Sequence, residues 1–136
     1  MIRSVAAVAA GFATMVILVM MGTFAWVAVM VPGGMAAMRQ NPDMANMKPS
    51  VGYLAMNLTL SFVAALLAGW ITTRVASGGP VGHLVALACL VLVMSVVSAM
   101  GPGSGQQPGW YKVAIPLIGL AGLAMSAWLA TGRAAA

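Results

Sequence analysis

A chain of 136 residues that is 62% hydrophobic and 5% charged cannot clothe a soluble fold, which carries about a quarter of its residues charged. With a mean hydropathy of +1.04, the solvent it is built for is a bilayer. Six Lys and Arg against a single acid give +5, and the pI near 10.4 would suggest nucleic acid in a soluble protein; here the basic residues stand singly at chain ends and in loops. That placement argues against nucleic acid and for membrane boundaries, where cations meet anionic headgroups.

Four runs reach the roughly 20 apolar residues that a span needs. The expected fold is therefore an all-α integral membrane protein, one domain over residues 1–136, with four transmembrane helices at about 4–31, 51–73, 81–100 and 113–131. The first run begins with Met-Ile-Arg, like a signal peptide. It is too long for that segment and is followed by no small-residue cleavage site, so it reads as a retained anchor. Ala6, Ala10 and Ala9, Ala13 offer it small faces for packing.

A polar loop over 32–50 follows, and Met35, Met38, Met44 and Met47 lie in it in two pairs three residues apart. Thioethers are soft ligands that suit Cu(I), and Asn41-Pro42-Asp43 is a turn signal that would bring the pairs together. The competing reading is a compliant apolar surface resting on the membrane or on a partner.

The second run carries Tyr53, Asn57, Ser61, Ala65 and Gly69, each four residues after the last, so they share one helical face. Asn57 is the strongly polar amide of the span and needs a hydrogen-bonding partner, from another helix or from a ligand path. The third run contains Cys89, which reads as a small packed hydrophobe, and His83 near its start. A neutral imidazole in an apolar helix is a candidate axial ligand for a haem iron or a chlorophyll-type magnesium. The alternative is an interfacial histidine bonded to water or headgroups. Ser95 and Ala99 offer this helix a packing face.

A flexible connection, GPGSGQQPGWYK, precedes the fourth run, with Trp110 and Tyr111 expected as interface anchors. Gly122, Ser126 and Ala130 repeat the four-residue spacing. The helix-packing set is therefore Asn57, Ser61, Ala65 and Gly69 on one helix and Gly122, Ser126 and Ala130 on the other, all expected to face protein. The halves also echo each other. Pro49 and Arg74 bracket the second helix as Pro108 and Arg133 bracket the fourth, 25 positions apart in each case, which suggests two repeated hairpins. The second and fourth helices should run in the same direction.

The layout resembles that of small four-helix bacterial membrane proteins, a likeness that carries no activity. It implies a bacterial inner (cytoplasmic) membrane, and the longer loops favour cytoplasmic termini. Catalysis is not expected, because general acid–base chemistry wants a titratable pair within reach of substrate and the chain has one Asp and one His. No cofactor is expected beyond the haem, pigment or Cu(I) readings above. The expected function is an accessory or structural subunit docked on a larger membrane complex, with a respiratory or photosynthetic host. Its partners would be the lipid bilayer and other membrane subunits. A copper- or small-molecule-binding protein and a homo-oligomeric channel or carrier are the alternatives.

Overall fold

The computed structural model describes residues 2–30, 33, 36, 40, 48–76, 79–101 and 104–132. Four long helices fill it: α1 Ile2–Met30, α2 Val51–Val75, α3 Pro80–Met100 and α4 Gly109–Gly132, with a 3₁₀ turn at Ser104–Gln106 before α4. All four are long and apolar enough to cross a membrane. The methionines Met35, Met38, Met44 and Met47 lie outside the described residues, as do Arg39, Asp43 and Arg133.

Local chemistry sets the helix ends. Gly33, in the connection after α1, takes φ 82°, a left-handed conformation that glycine adopts without strain. Ser50 caps α2, its side chain accepting from the Tyr53 N–H at 3.2 Å. At the far end of α2, the Arg74 guanidinium lies 5.3 Å over the Trp70 ring, a cation–π contact at the level where both residue types settle in a membrane. Pro80 opens α3 at the position where its missing N–H costs nothing. α4 begins four residues earlier than the expected 113: Tyr111 N–H already bonds to Pro108 O at 3.0 Å. Lys112 therefore lies inside the helix, because helical bonding continues past a side chain long enough to reach the interface.

The helices alternate in direction, so one end of the bundle holds both termini and the other holds the connections before α2 and α4. We call these the terminal end and the loop end. Gly11 of α1 faces Thr72 and Ala68 of α2, and Gly22 faces Leu60, which makes that pair antiparallel. Gly69 faces Ser126 and Leu123, and Gly122 faces Phe62, Ala65 and Leu66, so α2 and α4 run parallel. α2 is the central element, packed along both α1 and α4, while α3 rests mainly on α4 and touches α1 and α2 more lightly. The two hairpins are thus not equivalent in packing, whatever their sequence echo.

The core reflects this centrality. Ala65 and Ala68 of α2, Leu87 and Val91 of α3 and Leu123 of α4 form one buried cluster, with Val8, Phe12 and Met15 of α1 against it. Ser61, Ala65 and Gly69 are buried on α2, as are Gly122 and Ser126 on α4, while Asn57 and Ala130 are half-buried. Ala65 meets Gly122, and Gly69 meets Ser126. On α1 the packing face differs from the expected alanines. Ala7 and Gly11 are buried, whereas Ala6, Ala9 and Ala13 are exposed and Ala10 is half-buried. Small residues occur all around the first turns of α1, so spacing alone does not choose a face there. Thr72 fixes it: its hydroxyl donates to Ala68 O at 2.8 Å and reaches Ala7 O of α1 at 3.4 Å.

A Cβ at Gly122 would meet Phe62 O at 2.7 Å, Ala65 Cβ at 3.0 Å and Leu66 N at 3.1 Å, mostly rigid backbone; at Gly119 it would meet only Val91 Cγ1 at 3.5 Å. Gly122→Ala is therefore expected to lose about 1–3 kcal/mol of stability by overpacking, and Gly119→Ala to be tolerated. Thermal unfolding in detergent, followed by tryptophan fluorescence, compares the two; equal midpoints would contradict this α2–α4 contact.

Candidate functional site

At the loop end the described residues leave a hollow between the helices. A cavity of about 380 Å³ lies among the four helices, within the size range of small-molecule sites, about 300–1,000 Å³. α1 gives it an apolar wall of Phe12, Met15, Val16, Val19 and Met20. The other helices turn polar groups into it: Asn57 and Ser61 from α2, Ser95 and Ser98 from α3, and Tyr111 and Lys112 from α4. Helix positions give the depth. At 1.5 Å per residue, Asn57 lies about 9 Å and Ser61 about 15 Å along α2 from Val51, and about 15 Å is half the thickness of a hydrocarbon core. The α2 polar groups of the cavity therefore lie between the interface and mid-membrane, and its α1 wall reaches deeper, to Phe12.

The polar groups are only partly committed. Ser61 Oγ donates to Asn57 Oδ1 at 3.4 Å. The Asn57 amide N–H groups make no hydrogen bond among the described residues. A primary amide with unmatched donors is costly in hydrocarbon, and its place on the cavity leaves those donors for water or a guest. The Ser95 hydroxyl donates back to Val91 O at 2.8 Å and keeps its lone pairs.

Two features of α4 are absent from the sequence reading. Tyr111, expected as an interface anchor beside Trp110, is 1% exposed and lines the cavity, while Trp110 is 56% exposed. The helix starts at Gly109, so the two side chains are already a helical step of about 100° apart and only one can face outward. Their rings meet edge-to-face, centroids 5.8 Å apart at 88°. Pro116 lies inside α4, and its missing N–H leaves the carbonyl of Lys112 without the usual helical partner. A closer reading of helix phase from Pro108 onward would have found both.

Part of the cavity is open sideways. Val16 and Met20 on α1 and Met94 and Ser98 on α3 line it and are themselves exposed. The opening thus faces the lipid between α1 and α3, in the leaflet at the loop end. Met15, Met20 and Met94 make these walls adaptable, since an unbranched thioether changes shape at little cost.

His83 belongs to a different hollow. A groove of about 600 Å³ at the terminal end lies between Ser4, Val5, Val8, Ala9 and Phe12 of α1 and Gly82, His83, Ala86 and Leu90 of α3. Its surface is almost wholly carbon. The His83 imidazole is half-buried, with Nδ1 3.2 Å from Gly79 O, which makes Gly79 a hydrogen-bond partner and leaves Gly82 to shape the groove. Phe12 lines both hollows and separates them. Cys89 is exposed on α3 and lines neither hollow. The proposed copper ligands lie outside the described residues. Among the described residues no three His, Cys, Asp or Glu side chains come together. The chain matches no protein-family model, no curated protein and no solved structure.

A hydrated cavity has a direct signature. With Cys89 replaced by serine, Ser95→Cys is expected to react with a charged methanethiosulfonate reagent, and Val93→Cys, on the lipid-facing side of α3, to stay inert. Inertness at both positions would mean that water does not reach the cavity.

Proposed function

We propose that this chain is a non-catalytic membrane protein that takes a small amphipathic molecule from one leaflet into its loop-end cavity. The observation that carries this reading is the pairing of an apolar α1 wall with convergent polar groups from α2, α3 and α4, beside an opening to lipid. A ligand site in a protein combines those two kinds of surface. A bundle meant only to fill space would close its loop end with small residues, as this one does further along α2 and α4. A binding role is favoured over chemistry because the titratable side chains on the cavity are Tyr111 and Lys112, with no carboxylate or imidazole among the described residues that line it to make an ordinary acid–base pair.

The accessory-subunit reading keeps one specific support, the terminal-end groove. Gly82 and Ala86 are exposed four residues apart on α3, opposite exposed Ala9 of α1. A small-xxx-small face lets a neighbouring helix approach closely in a membrane.

Native mass spectrometry of protein extracted in mild detergent separates the two. The wild type is expected to carry a small-molecule adduct. Asn57→Leu, which makes the polar floor apolar, should lower its occupancy about tenfold, equivalent to about 1.4 kcal/mol, and Gly82→Leu should leave it unchanged. A co-purifying protein that is lost in Gly82→Leu, with no adduct in any variant, would replace the binding reading with the subunit reading.

A further inference from the structure

We propose that the cavity selects an anionic amphiphile: a single apolar chain bearing a carboxylate or phosphate-type head, with Lys112 as the charge partner of that head. This rests on the cavity being a binding site and goes on to assign the sign of its guest. Lys112 is the charged side chain on the lining, and no Asp or Glu occurs among the described residues. The helix dipoles do not set the sign. Two N-termini, of α2 and α4, and two C-termini, of α1 and α3, meet at the loop end, and their fields offset one another.

The hydrogen-bond inventory supplies donors for such a head, beside acceptors on Ser98, Gln107 and Tyr111 that do not set the sign. Ser61 and Ser95 spend their hydroxyl hydrogens on Asn57 Oδ1 and Val91 O. Asn57 and Lys112 bring donors that are not committed among the described residues, and donors suit an oxygen-rich anion. Placement completes the match. Lys112 is within the first turn of α4, at the interface, and the apolar wall from Met20 to Phe12 leads inward from there. A head at Lys112 puts its chain along α1, and the opening between α1 and α3 lets the chain enter without leaving the bilayer. A cationic head would be repelled at that point. A neutral one would gain nothing from the ammonium group.

The test uses the full chain in nanodiscs of zwitterionic lipid. Trp70→Phe and Trp128→Phe leave Trp26 and Trp110, both at the loop end, as the fluorescent reporters. The probe is doxyl-labelled stearate at alkaline pH, where its carboxylate is ionised, against its uncharged methyl ester. Saturable quenching by the stearate is expected, with the ester at least several-fold weaker. Lys112→Gln should weaken stearate roughly fivefold, a loss in the upper range for a partly exposed charge pair. Lys112→Arg should restore it, and Lys48→Gln should have no effect, since Lys48 is an exposed cation at the same end that does not line the cavity. Equal losses in Lys112→Gln and Lys48→Gln would mean surface attraction only and would overturn the proposal. Equal, saturable binding of ester and stearate would overturn the charge assignment while leaving the cavity a binding site. Absence of saturable quenching by either probe would remove both.

Discussion

Helices in a bilayer gain nothing from hiding apolar surface from one another, since lipid is as apolar as they are; they associate through close packing and a few polar contacts. Everything in this bundle depends on α2 meeting that requirement on two sides at once. Ala64, Ala65, Ala68, Gly69 and Thr72 are all buried within its second half. Gly11 reaches it from α1, and Gly122 from α4, so closely that an added Cβ would collide with α2 backbone. Close approach brings many weak dispersion contacts into range. Thr72 adds a hydrogen bond across the α1 contact without leaving a group unmatched, because Ala68 O also accepts from it.

The same helix explains the hollow that the described residues leave at its other end. In the first half of α2 the inward positions are Tyr53, Leu54, Asn57 and Ser61 rather than alanine and glycine. On α4 the facing turn carries Tyr111 and Lys112. Larger and polar side chains hold the helices apart where small ones would draw them together. The space left is lined by groups that hydrocarbon solvates poorly. The lining is apolar for the most part, with the Asn57 amide set into it, and bare amide donors cost several kcal/mol in an apolar medium. The stripe on α2 therefore has two jobs, divided near Ser61: packing beyond it and lining before it.

That division is only half visible in the sequence. The count and placement of spans follow from composition and hydropathy alone, since each run exceeds what a soluble helix would tolerate. The four-residue spacing from Asn57 to Gly69 and from Gly122 to Ala130 marks the faces that meet, because few residues in α2 and α4 are both small and so regularly placed. In α1 the signal fails. Alanines at 6, 7, 9, 10 and 13 surround the helix, and Gly11 is distinguished only once Thr72 is seen opposite it. The cavity fails for a different reason. It is made by four helices at once, and no single one carries a pattern that announces it; Tyr111 reads as a belt aromatic until the helix start at Gly109 fixes its phase. The methionine pairs of the first loop gain no structural support here, since they lie outside the described residues.

α3 is the helix that both hollows share with α1. It is bound mainly to α4 and only lightly to α1, and both hollows lie on the α1–α3 seam, one toward each end of the bundle. Widening that seam would uncover Leu87 and Val91, which Phe12 and its α1 neighbours help to bury, whereas moving α2 would break the glycine contacts on both its sides. Close packing is concentrated on α2, and the hollows lie where α1 and α3 meet more loosely. Phe12, shared by both hollows and packed on the core cluster, stands between them. Under the proposed binding role, a chain entering at the loop end would stop against Phe12, deeper than Ser61, with its head at Lys112.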